Sequence, residues 1–236
     1  MEYLLGFITF ITSMIAGVFG FGGGMLLIAI LPAFLSPSLI IPAHGIAQLA
    51  SNSSRMLFSL NYVKWKLLPK FLIGSIVGSL LVVSVLSYIP VDYIPLAIGV
   101  YILLNLWNST FSTAVSKYES YYLLGFLQTG LGLVVGATGP LVLAVLTKQL
   151  KCKDEIIATS SMFMSISHLA KIPVYLTVTT SLFSNMALII YMILGAVLGS
   201  FVGTKLRLAA NNGKIINAIK WLVTLLAIRM VVLAIL

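Results

Sequence analysis

The sequence predicts an all-α polytopic membrane protein built from two inverted-topology repeats, and three observations carry that expectation. The first is composition: 60% of the 236 residues are hydrophobic, 8% are charged, and the mean hydropathy is +1.13. A soluble fold of this size leaves too much surface in water to hide that much apolar area. The second is a glycine-rich break that occurs twice, about 119 residues apart. The third is the distribution of basic residues, which are crowded into some loops and missing from others.

The elements follow in order from apolar runs of roughly 20 residues, the length that spans a bilayer. Residues 3–35 form a long stretch broken at glycines, 42–62 a more polar helix, and 67–88 and 92–112 ordinary spans. The pattern then restarts: 120–147 is broken, 156–178 is more polar, and 182–203 and 214–236 are ordinary. The repeats are thus 1–118 and 119–236, within one membrane domain. The broken stretch of each is expected to be a re-entrant or short helical hairpin, followed by three spanning helices. Residues 120–147 are too few for two full crossings of about 20 residues each.

The breaks align closely. Leu4-Leu5-Gly6-Phe7, Gly17 and Gly20 fall on Leu123-Leu124-Gly125-Phe126, Gly136 and Gly139 at a single offset of 119. Gly74 and Gly78 answer Gly195 and Gly199 at an offset of 121. Four-residue spacing of small residues lets helices approach closely, within a chain or between copies of a homo-oligomer.

Basic residues then set the topology. Lys64, Lys66 and Lys70, Lys117, then Lys148, Lys151 and Lys153, and finally Lys205, Arg207 and Lys214 occupy four connections. The loops near 36–41, 89–91 and 179–181 have none. Positive-inside places the first group in the cytoplasm, and every equivalent loop then changes side between the repeats. Both termini are expected outside a plasma membrane that the chain crosses many times. The net charge of +9 is accounted for by these loops and needs no nucleic acid. The first segment carries Glu2, lacks a basic leader and is too long in its apolar run for a cleavable signal.

The breaks are the first candidate site. Backbone unpaired in a bilayer costs several kcal/mol (about 4–8 from water to hydrocarbon) unless it lines a cavity or is buried in protein. Where a helix restarts, free N–H groups and the positive dipole end point into the break. Gly20, Gly22, Gly23 and Gly24 let a ligand approach the backbone. Thr138 as cap, then Gly139, with Pro140 in the first turn, make a well-formed helix start. Tight packing alone calls for neither consecutive glycines nor a matched Thr-Gly-Pro. Two such starts facing one cavity make an anion site.

The polar helices are the second. Gln48, Asn52 and Arg55 share one helix face. A shift of 116 sets Met164, His168 and Lys171 at the equivalent places, with Ser161 and Ser165 extending that face. A buried Arg or Lys costs about 2.5–3.5 kcal/mol on insertion scales, and an acid usually compensates it. Here Glu2, Asp92, Glu119, Asp154 and Glu155 all lie in loops or at ends. Arg55 and Lys171 must use water, carbonyls, a bound anion, or else snorkel to the headgroups. His168 is the candidate proton relay.

The repeated glycine break, the short chain and the two-fold organisation resemble the sulfite exporter TauE/SafE family of anion transporters over essentially the whole length. The most specific part is Gly17-Val18-Phe19-Gly20-Phe21-Gly22-Gly23-Gly24, then Pro32 and the polar helix at 43–55. The second copy departs, keeping only Gly136, Gly139 and Pro140 where relatives often show more glycines. The resemblance implies carriage of sulfite, sulfonates, thiosulfate or related anions.

The residues and the resemblance together predict a secondary transporter of a small anion working by alternating access. A channel-like passive pore for anions or small neutral solutes is the alternative. A cation permease lacks buried acids, and an enzyme lacks paired carboxylates or an activated nucleophile within the spans. No cofactor is expected. With one cysteine, Cys152, and two histidines, no metal site is expected either.

Overall fold

The computed structural model describes residues 1–85, 94–116, 119–135, 139–178 and 185–235. Every regular element among them is helical. In chain order they are α1 (Glu2–Phe19), α2 (Gly23–Ile30), α3 (Pro37–Leu57), α4 (Leu68–Val85), α5 (Ile94–Trp107) and α6 (Ser109–Ser116). Then come α7 (Tyr121–Val135), α8 (Gly139–Gln149), α9 (Lys153–Val178), α10 (Met186–Ala209) and α11 (Asn212–Ile235). Glu2–Phe19, Met186–Ala209 and Asn212–Val232 are each long and apolar enough to cross a membrane. The chain forms two compact units, Met1–Val63 with Ile157–Asn211, and Lys64–Ile156 with Asn212–Leu236.

In the first unit, α1 is a continuous, mostly apolar helix that passes through Gly6 and Gly17. It closes at Gly20, whose φ of 86° is left-handed and whose N–H bonds back to the Ala16 carbonyl at 2.7 Å. That is the glycine C-cap of an α-helix. Gly22, at φ 89°, turns the chain into α2. The break divides its stretch unequally. At 1.5 Å per residue α1 is about 27 Å long and α2 only about 12 Å. No proline lies in α1, whereas Pro32 follows soon after α2 begins and sits in a 3-10 turn over Leu31–Ala33.

Helices α1 and α10 pack backbone to backbone. A Cβ on Gly195 would run into the Gly6 carbonyl, one on Gly199 into Phe10, and one on Gly203 into Met14. Gly17 lies so close that its Cβ would sit 2.8 Å from the Gly203 Cα. The contact advances in the same direction along both helices, so they run parallel. Helix α3 joins them in the same sense, through Ser51 to Ser200 and Ser59 to Arg207. Leu5, Leu27, Leu31, Ala43, Ala47, Leu188 and Met192 form the apolar core.

The second unit repeats the motif. Gly74 and Gly78 of α4 lie against the Tyr122 and Phe126 carbonyls of α7, and Gly125 lies against Phe71. Ser75 and Thr129 join the pair by a hydroxyl bond of 2.9 Å. Helices α5 and α11 run antiparallel, Gly99 beside Ala227 and Trp107 beside Trp221. Three ion pairs, Lys64–Glu155, Lys148–Glu119 and Lys153–Asp154, hold its loops and helix ends.

Polarity is inverted relative to a water-soluble fold. Leu80, Leu198, Leu206 and Leu225 are exposed, while Thr12, Asn52, Arg55, Thr204 and Arg207 are buried. Such a surface suits hydrocarbon, where helix association depends on close backbone approach rather than on hiding apolar area from water.

The glycine contacts yield a test. Gly199→Val places a side chain against the Phe10 carbonyl and should cost about 1–3 kcal/mol, as overpacking does. Thermal unfolding in detergent should show a lowered midpoint, whereas the neighbouring Leu198→Ala, on the exposed face, should move it little.

Candidate functional site

Helix α3 carries a polar stripe one turn apart, made of His44, Gln48, Asn52 and then Arg55, all buried. The spacing of four, four and three keeps them on one face. That face meets the ends of α1 and α2. His44 Nε2 lies 2.9 Å from the Gly24 carbonyl. A Cβ on Gly24 would sit 2.7 Å from Gln48 Oε1, so the backbone at the start of α2 lies directly against the Gln48 amide. Gly23 is tighter still, because a Cβ there would run into the Thr12 carbonyl of α1. At Gly22 the space is open, with no atom within 4 Å of where a Cβ would sit. Helix α2 has no side-chain cap, and its first turn bonds only from Leu26 back to Gly22 at 2.9 Å. The preceding amides are the free donors of a helix start.

Asn52 donates to the Gln48 carbonyl at 2.7 Å, and its own Oδ1 accepts from Arg55 at 2.7 Å. A second guanidinium nitrogen of Arg55 donates to Ala16 O at 2.6 Å. This is the carbonyl that also caps α1, so the cation sits at the negative end of that helix dipole. Arg55 is 1% exposed and its donors point inward, so it does not snorkel. Its Nε is buried without a hydrogen-bond partner, and among the described residues no carboxylate pairs with it.

Helix α9 supplies the expected serines and histidine. Ser161 and Ser165 donate to the carbonyls one turn back, Ile157 at 2.7 Å and Ser161 at 2.8 Å. This common back-bonding leaves their oxygens as acceptors. Ser165 also receives the Ser53 hydroxyl at 3.3 Å, so it meets α3 beside the stripe rather than on it. The His168 ring lies edge-on to His44 with centroids 6.0 Å apart. Lys171 lies in α9, and its side chain falls outside the described residues.

Of the second break, Gly139 and Pro140 open α8 in the other unit, with Pro140 buried, and Thr138 lies outside the described residues. Among the described residues no group of three His, Cys, Asp or Glu side chains gathers as a metal centre requires.

Two members of this cluster escape a reading of the sequence. Arg207 counts there as a loop cation, but α10 continues to Ala209 and the side chain is 0% exposed. It donates to Ser59 at 2.6 Å and lies near enough for its charge to act on Arg55. His44 is buried and stands four residues before Gln48, so it extends the same stripe. That spacing was the available signal. Arg207 offered none, because its burial depends on α3 lying beside α10.

A family model described as Sulfite exporter TauE/SafE matches residues 5–230. No match was found among curated proteins or among solved structures.

Adjacent glycines should behave oppositely on mutation. Gly23→Ala meets backbone and should yield little folded protein by size-exclusion chromatography. Gly24→Ala meets only the end of a flexible side chain, so the protein should fold, with Gln48 displaced and the apparent substrate affinity lowered several-fold.

Proposed function

Because the chain belongs to the sulfite exporter TauE/SafE family, a family of membrane transporters, we propose that it carries a small sulfur-containing anion: sulfite, an organosulfonate or a related oxyanion. The observation that carries this reading is Arg55, a fully buried cation bonded to two neutral oxygens with no carboxylate beside it among the described residues. Leaving a buried charge uncompensated costs several kcal/mol, about 3–5 where one partner of a pair is removed. A visiting anion supplies the missing charge. A metal or alkali cation would add to the cost.

In this reading the anion meets the free amides at the start of α2 and the Gln48 and Asn52 amides, with Arg55 and Arg207 supplying the field. Ser161, Ser165, His168 and Lys171 contribute from α9. The start of α8 at Gly139 and Pro140, which Thr138 precedes in the sequence, is the repeat-related counterpart, offering the same amide chemistry. Helix starts that present amides to anionic groups are the recurring device of secondary transporters.

The inverted-repeat reading has support in the pairing of helices. Helix α1 packs along α10 and α7 along α4. Offsets of 119 and 121 residues relate α1 to α7 and α4 to α10, so each pair joins the first helix of one repeat to the corresponding later helix of the other. The parallel course of α1, α3 and α10 agrees with N-termini outside and lysine-rich ends inside, as the loop charges assign. Exchange then proceeds by alternating access in the plasma membrane.

Purified protein in liposomes should take up labelled sulfite or an organosulfonate with saturation, and internal unlabelled anion should accelerate entry. Arg55→Ala combined with Lys171→Ala should reduce uptake at least about tenfold, the equivalent of about 1.4 kcal/mol. Normal uptake in that double variant removes the proposed site, and unsaturable flux without exchange acceleration favours a pore.

Proton coupling, in this reading, runs through His168, since imidazole alone titrates near neutrality in its ordinary state. Uptake driven by an imposed pH gradient should be lost in His168→Gln, while exchange at equal pH persists.

A further inference from the structure

A cavity of about 340 Å³ lies within the second unit, where the ends of α5 and α8 meet the start of α6 and one face of α11. None of the residues that line it is assigned above to transport. Its wall combines the apolar surface of Leu106 and Trp107 with polar side chains, among them Lys148, Lys220, Ser109 and Ser112. Lys148 is fixed by Asn105 Oδ1 at 3.1 Å, the Ser112 carbonyl at 2.8 Å and Glu119 at 3.2 Å, and its charge is balanced by that carboxylate. Lys220 is different. Its ammonium lies 4.0 Å from the centre of the Trp107 ring, and among the described residues no carboxylate pairs with it. The wall therefore carries one positive charge in excess.

The start of α6 adds donors at the same place. Asn108 caps α6 by accepting from the Phe111 N–H at 2.9 Å. That cap leaves the Ser109 and Thr110 amides as the free donors of the helix start, at its positive dipole end. Both Asn108 and Ser109 line the cavity. The volume exceeds what a halide needs and falls at the lower end of small-molecule sites, about 300–1,000 Å³.

We propose that this cavity binds a phosphate group, carried by an anionic phospholipid. The donors and the excess charge suit a tetrahedral anion with several acceptor oxygens. The lip points to a lipid as its source. Trp107 is 49% exposed and Trp221 58%, their ring centres 5.1 Å apart with planes inclined at 53°, and exposed Leu225 lies one turn along α11. Indoles of this kind occupy the headgroup level of a bilayer, and basic pockets between helices there receive anionic headgroups. Anchored in this way, the headgroup ties α6 and α8 to α11.

The test uses the full chain in neutral detergent, with thermal unfolding and native mass spectrometry as readouts. Phosphatidylglycerol should raise the unfolding midpoint and remain bound, phosphatidylcholine should do neither, and inorganic phosphate should act only weakly at millimolar concentration. Lys220→Gln should weaken phosphatidylglycerol binding at least tenfold. Ser109→Glu provides the second variant. A carboxylate at the start of α6 favours that helix, so the protein should fold at least as well while its lipid affinity falls. Equal phosphatidylglycerol binding by the wild type and both variants would overturn the site. Saturation by inorganic phosphate, with phosphatidylglycerol no better than phosphatidylcholine, would overturn the lipid.

Discussion

The carbonyl of Ala16 accepts two hydrogen bonds, from the Gly20 amide and from the Arg55 guanidinium, and the first unit is arranged around that pair. The first bond closes α1 with a left-handed residue that only glycine adopts without strain. The reversal it begins sends α2 back along α1, with Gly23 lying on the Thr12 carbonyl where any side chain would collide. Gly24 is then delivered to Gln48 and His44. The second bond holds α3 against the same helix end, which fixes where the polar stripe must lie.

Close backbone contact supplies the rest of the order. In hydrocarbon, apolar side chains gain little by leaving lipid for protein, so helices associate where small residues bring backbones together. The α1–α10 and α4–α7 pairs both use glycine rows for this purpose. The polar groups so enclosed are expensive unless bonded, and most of them bond to carbonyls of their own or a neighbouring helix. Arg55 keeps a buried Nε in surplus. That surplus donor on a buried cation is the feature on which the proposed anion site rests.

The two basic regions differ in how their charge is managed. Around Arg55 the low-dielectric interior leaves the positive field unscreened, which is the basis of the anion site proposed there. At the α6 cavity Lys220 stands over the half-exposed Trp107 indole, and Lys148 already has Glu119. Such a place suits a headgroup that stays. Strength of field and access to lipid, rather than the number of cations, separate the two.

The sequence by itself determined the membrane class, the family and the chemistry of the stripe. Composition excludes a soluble core, and a spacing of three or four residues puts Gln48, Asn52 and Arg55 on one helix face whatever surrounds it. The glycines likewise announce a break, since no other residue reverses a helix so cheaply. Which side chains meet across helices was decided only by the tertiary structure. Arg207 lies far from Arg55 along the chain and reads as a loop charge until α10 is seen to continue past it, against α3. His44 becomes part of the site because α2 folds back onto α3. Periodicity is a local property and can be read from one stretch of sequence. Proximity between helices depends on which glycine rows face each other, and that choice is made only when the chain packs.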